Sequence, residues 1–384
     1  MKMIYLENAR IPTEKAHGLQ IMKMVEAFQG QGVDVELVVA KRANNQLEHE
    51  DPFNYYGLKK RFKIKKLPLI DLVDLGLSIK GLSVPLQNTS FAISAFFSLL
   101  FSKADIIYSR DEFSLFLLSF FKKNLVFELH TFTESKKLYK MILFKFLFRR
   151  VKKIVVITKG LQGLLENQLG VSQDKIVVSA DAVDLKQFVI SKTRKECRDQ
   201  LGLPLDKNII LYTGHLFGWK GVNRLVESSS YLADNDLIVI VGGMEHDQKK
   251  LNKFISEKNL RNILIVGYKP PKDIPVYLKA ADILVLPNSG KNKISEHYTS
   301  PMKMFEYMAA NKPIVASDIP SIKEVLNSDN AVLVAPDDSS ALADGIKNIL
   351  SNEELAEKVS QNAYTTVQDY TWDKRAKKVL NFIS

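Results

Sequence analysis

The sequence predicts an α/β protein built from two Rossmann-like domains with parallel sheets, on three observations. Strand-like apolar runs alternate with helical patterns along nearly the whole chain, the signature of parallel strands joined by crossover helices. Six such runs lie on each side of a polar stretch, Asp184–Lys195, which reads as a hinge. A length of 384 residues, with 46% hydrophobic and 25% charged content, suffices for two cores of ordinary size.

In the first half, strands are expected near Met3–Leu6, Val33–Val39, Ile106–Ser109, Leu125–Leu129, Ile154–Ile157 and Ile176–Ser179. In the second half they are expected near Ile209–Thr213, Leu237–Val241, Ile263–Val266, Ile283–Leu286, Ile314–Ala316 and Ala331–Val334. The domains are placed at 1–188 and 189–370, with a terminal helix over 371–384 left after the second sheet is complete. Two runs, Phe91–Phe101 and Leu115–Phe121, are unusually apolar but too short to span a bilayer. They read as helices buried against the first sheet, or as helices that present one edge to lipid or a lipid-linked substrate. No apolar run reaches the length of about 18 residues that marks a transmembrane helix. The opening MKMIYLEN reads as a strand, with no signal-peptide core. The single cysteine, Cys197, excludes an intrachain disulfide framework and fits a reducing compartment, so a cytoplasmic location is expected.

The net charge of +11 is uneven: the first 190 residues carry 28 Lys+Arg against 19 Asp+Glu. The excess clusters in Leu58–Lys66 (LKKRFKIKK) and Lys136–Lys153, where basic residues alternate with Phe62, Leu143, Phe144, Phe146 and Phe148. That mixture suits an anionic membrane surface, the expected partner. Solvated charge is the bland alternative. Nucleic acid is not expected, because no recognition motif accompanies the patches.

Ligands of open α/β sheets bind beyond the carboxyl ends of the strands, so the residues that follow each strand are the candidates. The most informative stretch is Leu286–Asp318. There a polar loop after Pro287-Asn288 leads to a helix with Ser300 as N-cap and Pro301 at its first position. The N–H groups of Met302 and Lys303, the helix dipole and the Lys303 amine make an anion site. Glu306 stands on nearly the same face one turn deeper, where a carboxylate can accept two sugar hydroxyls. Asn311 can end this helix before Pro313. After the strand Ile209–Thr213 comes Gly214-His215-Leu216-Phe217-Gly218-Trp219-Lys220-Gly221, small backbone plus a lysine, suited to a diphosphate leaving group. Gly18 offers close backbone approach after the first strand. Arg110 is placed to bind an anionic acceptor group, or to bridge two loops. His130 ends the strand Leu125–Leu129 and can hold a sugar hydroxyl or an acceptor proton. Asp234-Asn235-Asp236 has a metal-binding spacing but precedes a strand, and there is no Cys/His cluster, P-loop or nucleophile elbow. No metal or other cofactor is expected.

Several of these stretches resemble the family-4 retaining glycosyltransferases, the glycosyl transferases group 1 with the GT-B fold. The family spans its donor loop and helix with a glutamate, seven residues and a second glutamate. Here the second is Glu306 and Tyr298 stands at the first, with Glu296 nearby as a substitute. A branch with Ser-Pro-x-Lys-x-Phe-Glu-Tyr-Met matches Ser300–Met308. The family's Gly-Arg, four residues, Lys-Gly appears as Gly214-His215 and Lys220-Gly221, with histidine replacing arginine. Val126–His130 matches the strand that ends in the active-site histidine, and His17-Gly18 partly matches a Gly-rich turn.

The resemblance implies two Rossmann-like domains facing a central cleft. It implies a nucleotide-diphosphate sugar on the second domain, a glycan or polyprenyl-linked acceptor on the first, and the terminal helix packed back on the first. It also implies transfer with retention and without metal, as in bacterial envelope polysaccharide assembly at the inner face of the cytoplasmic membrane. His130, Lys220 and Glu306 would be catalytic. Gly18, Gly214, His215, Gly242, Gly243, Tyr268, Glu296, Tyr298, Ser300, Pro301, Met302 and Lys303 would bind donor, and Arg110 acceptor. A non-catalytic nucleotide-sugar-binding scaffold and a nucleotide-sugar epimerase are the alternatives.

Overall fold

A computed structural model describes residues 1–43, 47–72, 76, 77, 79, 81–132 and 138–384. The chain divides into two compact units, one of residues 1–157, 161–180 and 372–384, the other of 158–160 and 181–371.

The first unit is built on seven parallel strands: β1 (Lys2–Glu7), β2 (Asp34–Ala40), β3 (Lys63–Leu67), β4 (Ile106–Ser109), β5 (Leu125–Leu129), β6 (Lys153–Val156) and β7 (Ile176–Val178). Their order is β3-β2-β1-β4-β5-β6-β7. The central strands are apolar on both faces, because helices cover both sides of a parallel sheet. Met3, Tyr5 and Leu6 of β1 and Leu125 and Val126 of β5 are wholly buried, each aliphatic side chain contributing about 1.5–3 kcal/mol.

Six strands were expected here and seven are present. The additional one, β3, lies inside the basic run Leu58–Lys66. Its Lys63, Lys65 and Lys66 are exposed on the edge of the sheet, as lysines that protect an edge strand from further pairing often are. Lys63 pairs with Glu36 of β2 at 2.9 Å, Arg61 with Asp51 at 3.1 Å, and Lys65 donates to Ser98 Oγ at 2.8 Å. Much of that basic run therefore has local partners. Of the second run, Lys136 and Lys137 lie outside the described residues.

The helix Ser83–Leu99 buries Phe91, Ala92, Ala95 and Leu99, and Glu112–Leu118 buries Leu115 and Leu118. Neither apolar run is wholly buried, however. Phe97 is 69% exposed and Phe101 87%, and Phe120, Phe121 and Ile142 are exposed as well. By contrast Phe148 is buried and Phe144 packs on Phe132 and Phe148. No helix among the described residues is long and apolar enough to cross a membrane.

The helix Trp372–Ile383 belongs to this first unit. It buries Trp372, Ala376, Val379 and Ile383, an i, i+4, i+7, i+11 stripe, and packs on the helix Ala16–Gly30.

The second unit has six parallel strands: β8 (Asn208–Thr213), β9 (Asp236–Val241), β10 (Ile263–Gly267), β11 (Ile283–Leu286), β12 (Ile314–Ser317) and β13 (Val332–Val334), ordered β10-β9-β8-β11-β12-β13. Its core gathers Ile210, Tyr212, Leu225, Ile238, Ile240, Val285 and Val315 with the helix residues Leu342 and Ile346. The chain enters this unit at Asp181, earlier than the polar stretch suggested. Val183 bridges to Thr371 and its N–H donates to the Tyr370 carbonyl at 2.9 Å, so the entering and leaving segments are pinned side by side. In each sheet the winding reverses once, between β1 and β4 and between β8 and β11, and the candidate residues lie beyond those two points.

Candidate active site

In the second unit the loop after β8 and the helix Met302–Ala309 build one charged corner. Two glycines bring backbone into contact there. A Cβ on Gly221 would lie 1.7 Å from the Pro287 carbonyl oxygen, and one on Gly242 would lie 2.1 Å from that of Gly214. Both hold positive φ, at 71° and 132°. The loops after β8, β9 and β11 are thus locked together by backbone. Gly243 is closely packed as well, since a Cβ there would strike Leu216 at 2.5 Å.

The helix begins one residue later than expected. Pro301 is itself the N-cap (φ −71°, ψ 118°), and Met302 is the first helical residue. Ser300 does not cap, because its hydroxyl accepts the Asp181 N–H at 3.0 Å. No side chain caps this end, which leaves the N–H groups of Met302 and Lys303 available to an anion. At the other end Asn311 takes φ 51°, the left-handed conformation that closes a helix. Tyr307, fully buried, fixes the helix to β8: its hydroxyl accepts the Thr213 N–H at 2.8 Å.

Three titratable side chains converge on this corner. Lys303 is 9% exposed, its Nζ lies 3.6 Å from the centroid of the Tyr212 ring, and that Nζ has no hydrogen-bond partner. Burial pushes its pKa well down, nearby Lys220 lowers it further, and Glu306 pulls it back up. Lys220, half-buried, sits 3.9 Å over the Trp219 ring. Burial lowers its pKa to about 7, against the attraction of Asp181. The carboxylate of Glu306, also half-buried, makes no hydrogen bond among the described residues. Burial raises its pKa to about 7, opposed by Lys303. Two amines and a helix start can receive a polyanion, and an unengaged carboxylate one turn deeper can accept hydroxyls.

The other candidates are placed more loosely. His215 lies flat on Phe217, ring centroids 5.1 Å apart at 13°, and its carbonyl accepts the Tyr212 hydroxyl. The stretch expected to be a polar loop holds a short helix, Lys293–His297. Glu296 is on that helix, 3.4 Å from His297 Nε2, so its carboxylate faces a histidine of its own turn. Tyr298, at the position of the family's first glutamate, is 8% exposed and closes the helix. Tyr268 follows β10 and is half-buried, with no described contact to Lys303 or Glu306. Sequence reasoning missed Asn288, fully buried just after β11, whose Oδ1 has no hydrogen-bond partner. Its place at the reversal point was the available signal.

In the first unit a pocket of about 410 Å³ opens beyond β1, β4 and β5, lined by Glu7, His17, Arg110, Asp111, Glu128 and His130 among others. Its floor is Glu128, buried on β5. The carboxylate accepts from Arg375 at 2.6 Å, Gln20 Nε2 at 3.2 Å and the Tyr108 hydroxyl, and faces His130 Nε2 at 2.6 Å. Burial alone would raise the Glu128 pKa, but Arg375 and His130 outweigh it and hold the group well below the usual carboxylate range. Arg110 donates its backbone N–H to Glu7 Oε1 at 3.0 Å and its guanidinium to Gln20 Oε1, and its side chain lines the pocket. Burial raises Glu7 to about 8, against Arg110. Burial lowers His17 to about 3, helped by Arg110. Gly18 packs closely within the unit: a Cβ there would lie 2.2 Å from the Tyr56 hydroxyl and 2.6 Å from Thr13 Cγ2. Glu128 was missed because it sits within an apolar strand. A lone charge in a doubly covered strand was the signal.

Among the described residues no three His, Cys, Asp or Glu side chains cluster as metal ligands. Asp236 instead accepts the Ala233 N–H at 3.0 Å and Asn208 Nδ2 at 2.8 Å, which fastens the turn before β9.

Residues 18–187 match the family model described as Glycosyltransferase Family 4, and residues 193–366 match Glycosyl transferases group 1. The α-D-kanosaminyltransferase of Streptomyces kanamyceticus is 26% identical over 174 residues, 44% of this chain and 43% of that protein. The O-antigen chain mannosyltransferase RfbU of Salmonella typhimurium is 26% identical over 251 residues, 65% and 64%. The chain thus spans about half the length of the curated relatives it matches. The sucrose-phosphate synthase structure from Thermosynechococcus elongatus superposes with TM-score 0.80 at 19% identity, covering 99% of this chain and 98% of the other. Anabaena HepE in complex with UDP-glucose gives 0.75 at 16%, covering 99% of each. These likenesses establish the fold, two Rossmann-like units of the GT-B type. With a family-4 model over its first half and a group 1 model over its second, the chain belongs to the family-4, group 1 glycosyltransferases.

Proposed function

We propose that this chain transfers a sugar from a nucleotide-diphosphate donor to a glycan or lipid-linked acceptor, in the assembly of a bacterial envelope polysaccharide. The observation that carries this reading is the corner in the second unit: Lys220, Lys303 and an uncapped helix start, with the unengaged carboxylate of Glu306 one turn deeper. It accommodates a diphosphate and the diol of a ribose. HepE, of the same fold, was captured with UDP-glucose, and RfbU is named for O-antigen chains, which supports a nucleotide-sugar donor and a surface-glycan product.

In this mechanism the bond from the anomeric carbon to the diphosphate breaks with its electron pair on the phosphate oxygen. Lys220 and the helix start stabilise that charge as it grows. The acceptor oxygen forms the new bond on the same face and passes its proton to the departing phosphate oxygen, so configuration is retained and no metal is required. His130, oriented by Glu128, holds a hydroxyl in the first unit's pocket. The basic first half and the exposed Phe97, Phe101, Phe120 and Phe121, with Arg150 over the Phe120 ring at 5.1 Å, favour a peripheral position on the anionic inner face of the membrane.

Calorimetry against UDP-, GDP- and dTDP-sugars, followed by transfer assays with the donor that binds, tests the reading. Turnover that survives EDTA is expected. Binding without turnover to any acceptor would favour a non-catalytic scaffold, and isomerisation without acceptor an epimerase.

A further inference from the structure

The corner beyond β8 holds one side chain that the surrounding protein groups do not stabilise as a cation. The Nζ of Lys303 is buried, has no hydrogen-bond partner among the described residues, and lies 3.3 Å from the point that a Cβ on Gly214 would occupy. It therefore faces the first residue of the phosphate-side loop. The groups around it are few. Beneath it is the Tyr212 ring, whose hydroxyl is engaged with the His215 carbonyl. On its own helix stand Glu306 and Tyr307, the latter engaged with Thr213. From the loop comes Lys220, a like charge, with Asp181 acting on Lys220. An ammonium here has one cation repelling it, one carboxylate attracting it, the face of an aromatic ring, and no acceptor among the described residues to complete its hydrogen bonds.

Seating a diphosphate inverts this balance, since it brings at least two negative charges and several acceptor oxygens. The related pattern supplies a second fixed cation, an arginine, where this chain has His215, and that imidazole is laid flat on Phe217. Resting on the donor-site reading, we propose that Lys303 is the second phosphate-receiving cation of this site, in place of the missing arginine, and that its amine takes a proton from solvent as a nucleoside diphosphate binds. The proton enters the Nζ lone pair and comes from the buffer. Donor affinity then falls as pH rises, because fewer protons are available to complete the site. An arginine at the same point would bind without any such dependence.

The strong depression of the Lys303 pKa by burial, then by Lys220, agrees with this geometry. Lys220 and Glu306 also titrate near neutrality, so total proton exchange does not isolate Lys303. The difference between variants does. Titration calorimetry with UDP and GDP at about pH 8, in buffers of differing ionisation enthalpy, counts the protons exchanged. Wild type is expected to take up about one proton more than Lys303→Arg or Lys303→Met, while Lys220→Arg retains that proton. Lys303→Met should also lose about tenfold or more in affinity for the diphosphate, as expected for a lost charged hydrogen bond. Should a variant fail to fold, as judged by circular dichroism, the ¹³Cε shift of labelled Lys303 in wild type decides instead. It is expected to move from the amine to the ammonium position on adding the nucleotide.

Equal proton counts in wild type and both Lys303 variants, or a ¹³Cε signal that stays put in a saturated complex, would overturn the proposal while the donor site stands. Failure of UDP, GDP and dTDP all to bind would overturn the donor site with it.

Discussion

The two reversal points share one winding order, yet their polar groups are in opposite conditions. Beyond β1 and β4, Glu128 is ringed by Arg375, Gln20, Tyr108 and His130, and Glu7 is met by Arg110. Beyond β8 and β11, among the described residues, Lys303 Nζ has no acceptor, the Glu306 carboxylate has no donor, and the Asn288 Oδ1 is unmet. The network around Glu128 is complete within the protein, although Asn8 Oδ1 in the same pocket is unmet; the second corner leaves both an amine and a carboxylate unengaged among the described residues. Since buried polar groups are paired in the great majority of cases, an unpaired set at a reversal point marks a ligand more strongly than a pocket outline does.

Substitutions should separate the two regions by what they cost. Glu128→Ala breaks the buried pair with Arg375 and is expected to lower stability by about 3–5 kcal/mol, read from urea or thermal unfolding. A loss under about 1 kcal/mol would mean that the network around β5 is not the complete one described. Lys220→Ala is expected to leave folding nearly intact but cut turnover by on the order of 100-fold, the usual cost of losing one stabiliser of developing charge. Turnover within about twofold of wild type would remove Lys220 from the diphosphate. Glu306→Ala should weaken binding of the free nucleoside diphosphate by about 1.5–3 kcal/mol through a lost charged hydrogen bond. Unchanged affinity would take Glu306 off the ribose.

The remaining effect is a pH dependence. The Glu306 pKa rises from 4.5 in the unfolded chain to about 7 in the fold, so the folded state binds its proton more tightly. Its contribution is fully present below pH 4.5 and is lost as pH rises through about 7. Glu306→Gln has no such titration. Relative to wild type its urea midpoint should climb between those two pH values and then level off, whereas a constant offset would deny that burial strains the carboxylate.

How much of this could be read in the sequence depended on how local each signal was. Lys303 and Glu306 stand within a single helix turn, so spacing related them, whereas Lys220 was joined to them through its place after a strand and through the family resemblance. β3 escaped because Lys63, Lys65 and Lys66 mask the strand pattern that only Ile64 and Leu67 carry. The cap at Ser300 was misplaced because its hydroxyl is claimed by the backbone of Asp181, far away in the chain. Glu128 was passed over for a similar reason. Its partners come from β4, the helix Ala16–Gly30 and the helix Trp372–Ile383, which no window of sequence brings together. Exposure of Phe97 and Phe121 was likewise undecidable locally, since a ten-residue apolar run does not say which of its sides the sheet covers.

The Glu128–Arg375 pair also orders events in time. A ribosome delivers β5 early and Arg375 only after all of 181–371 has been made. The first unit, although first to emerge, therefore waits with a buried carboxylate short of its guanidinium while the second unit, contiguous apart from three residues, can fold as it appears. The nascent protein should mature from its later half backwards. The interval before the terminal helix docks is when its unfinished half is most exposed to chaperones and proteases.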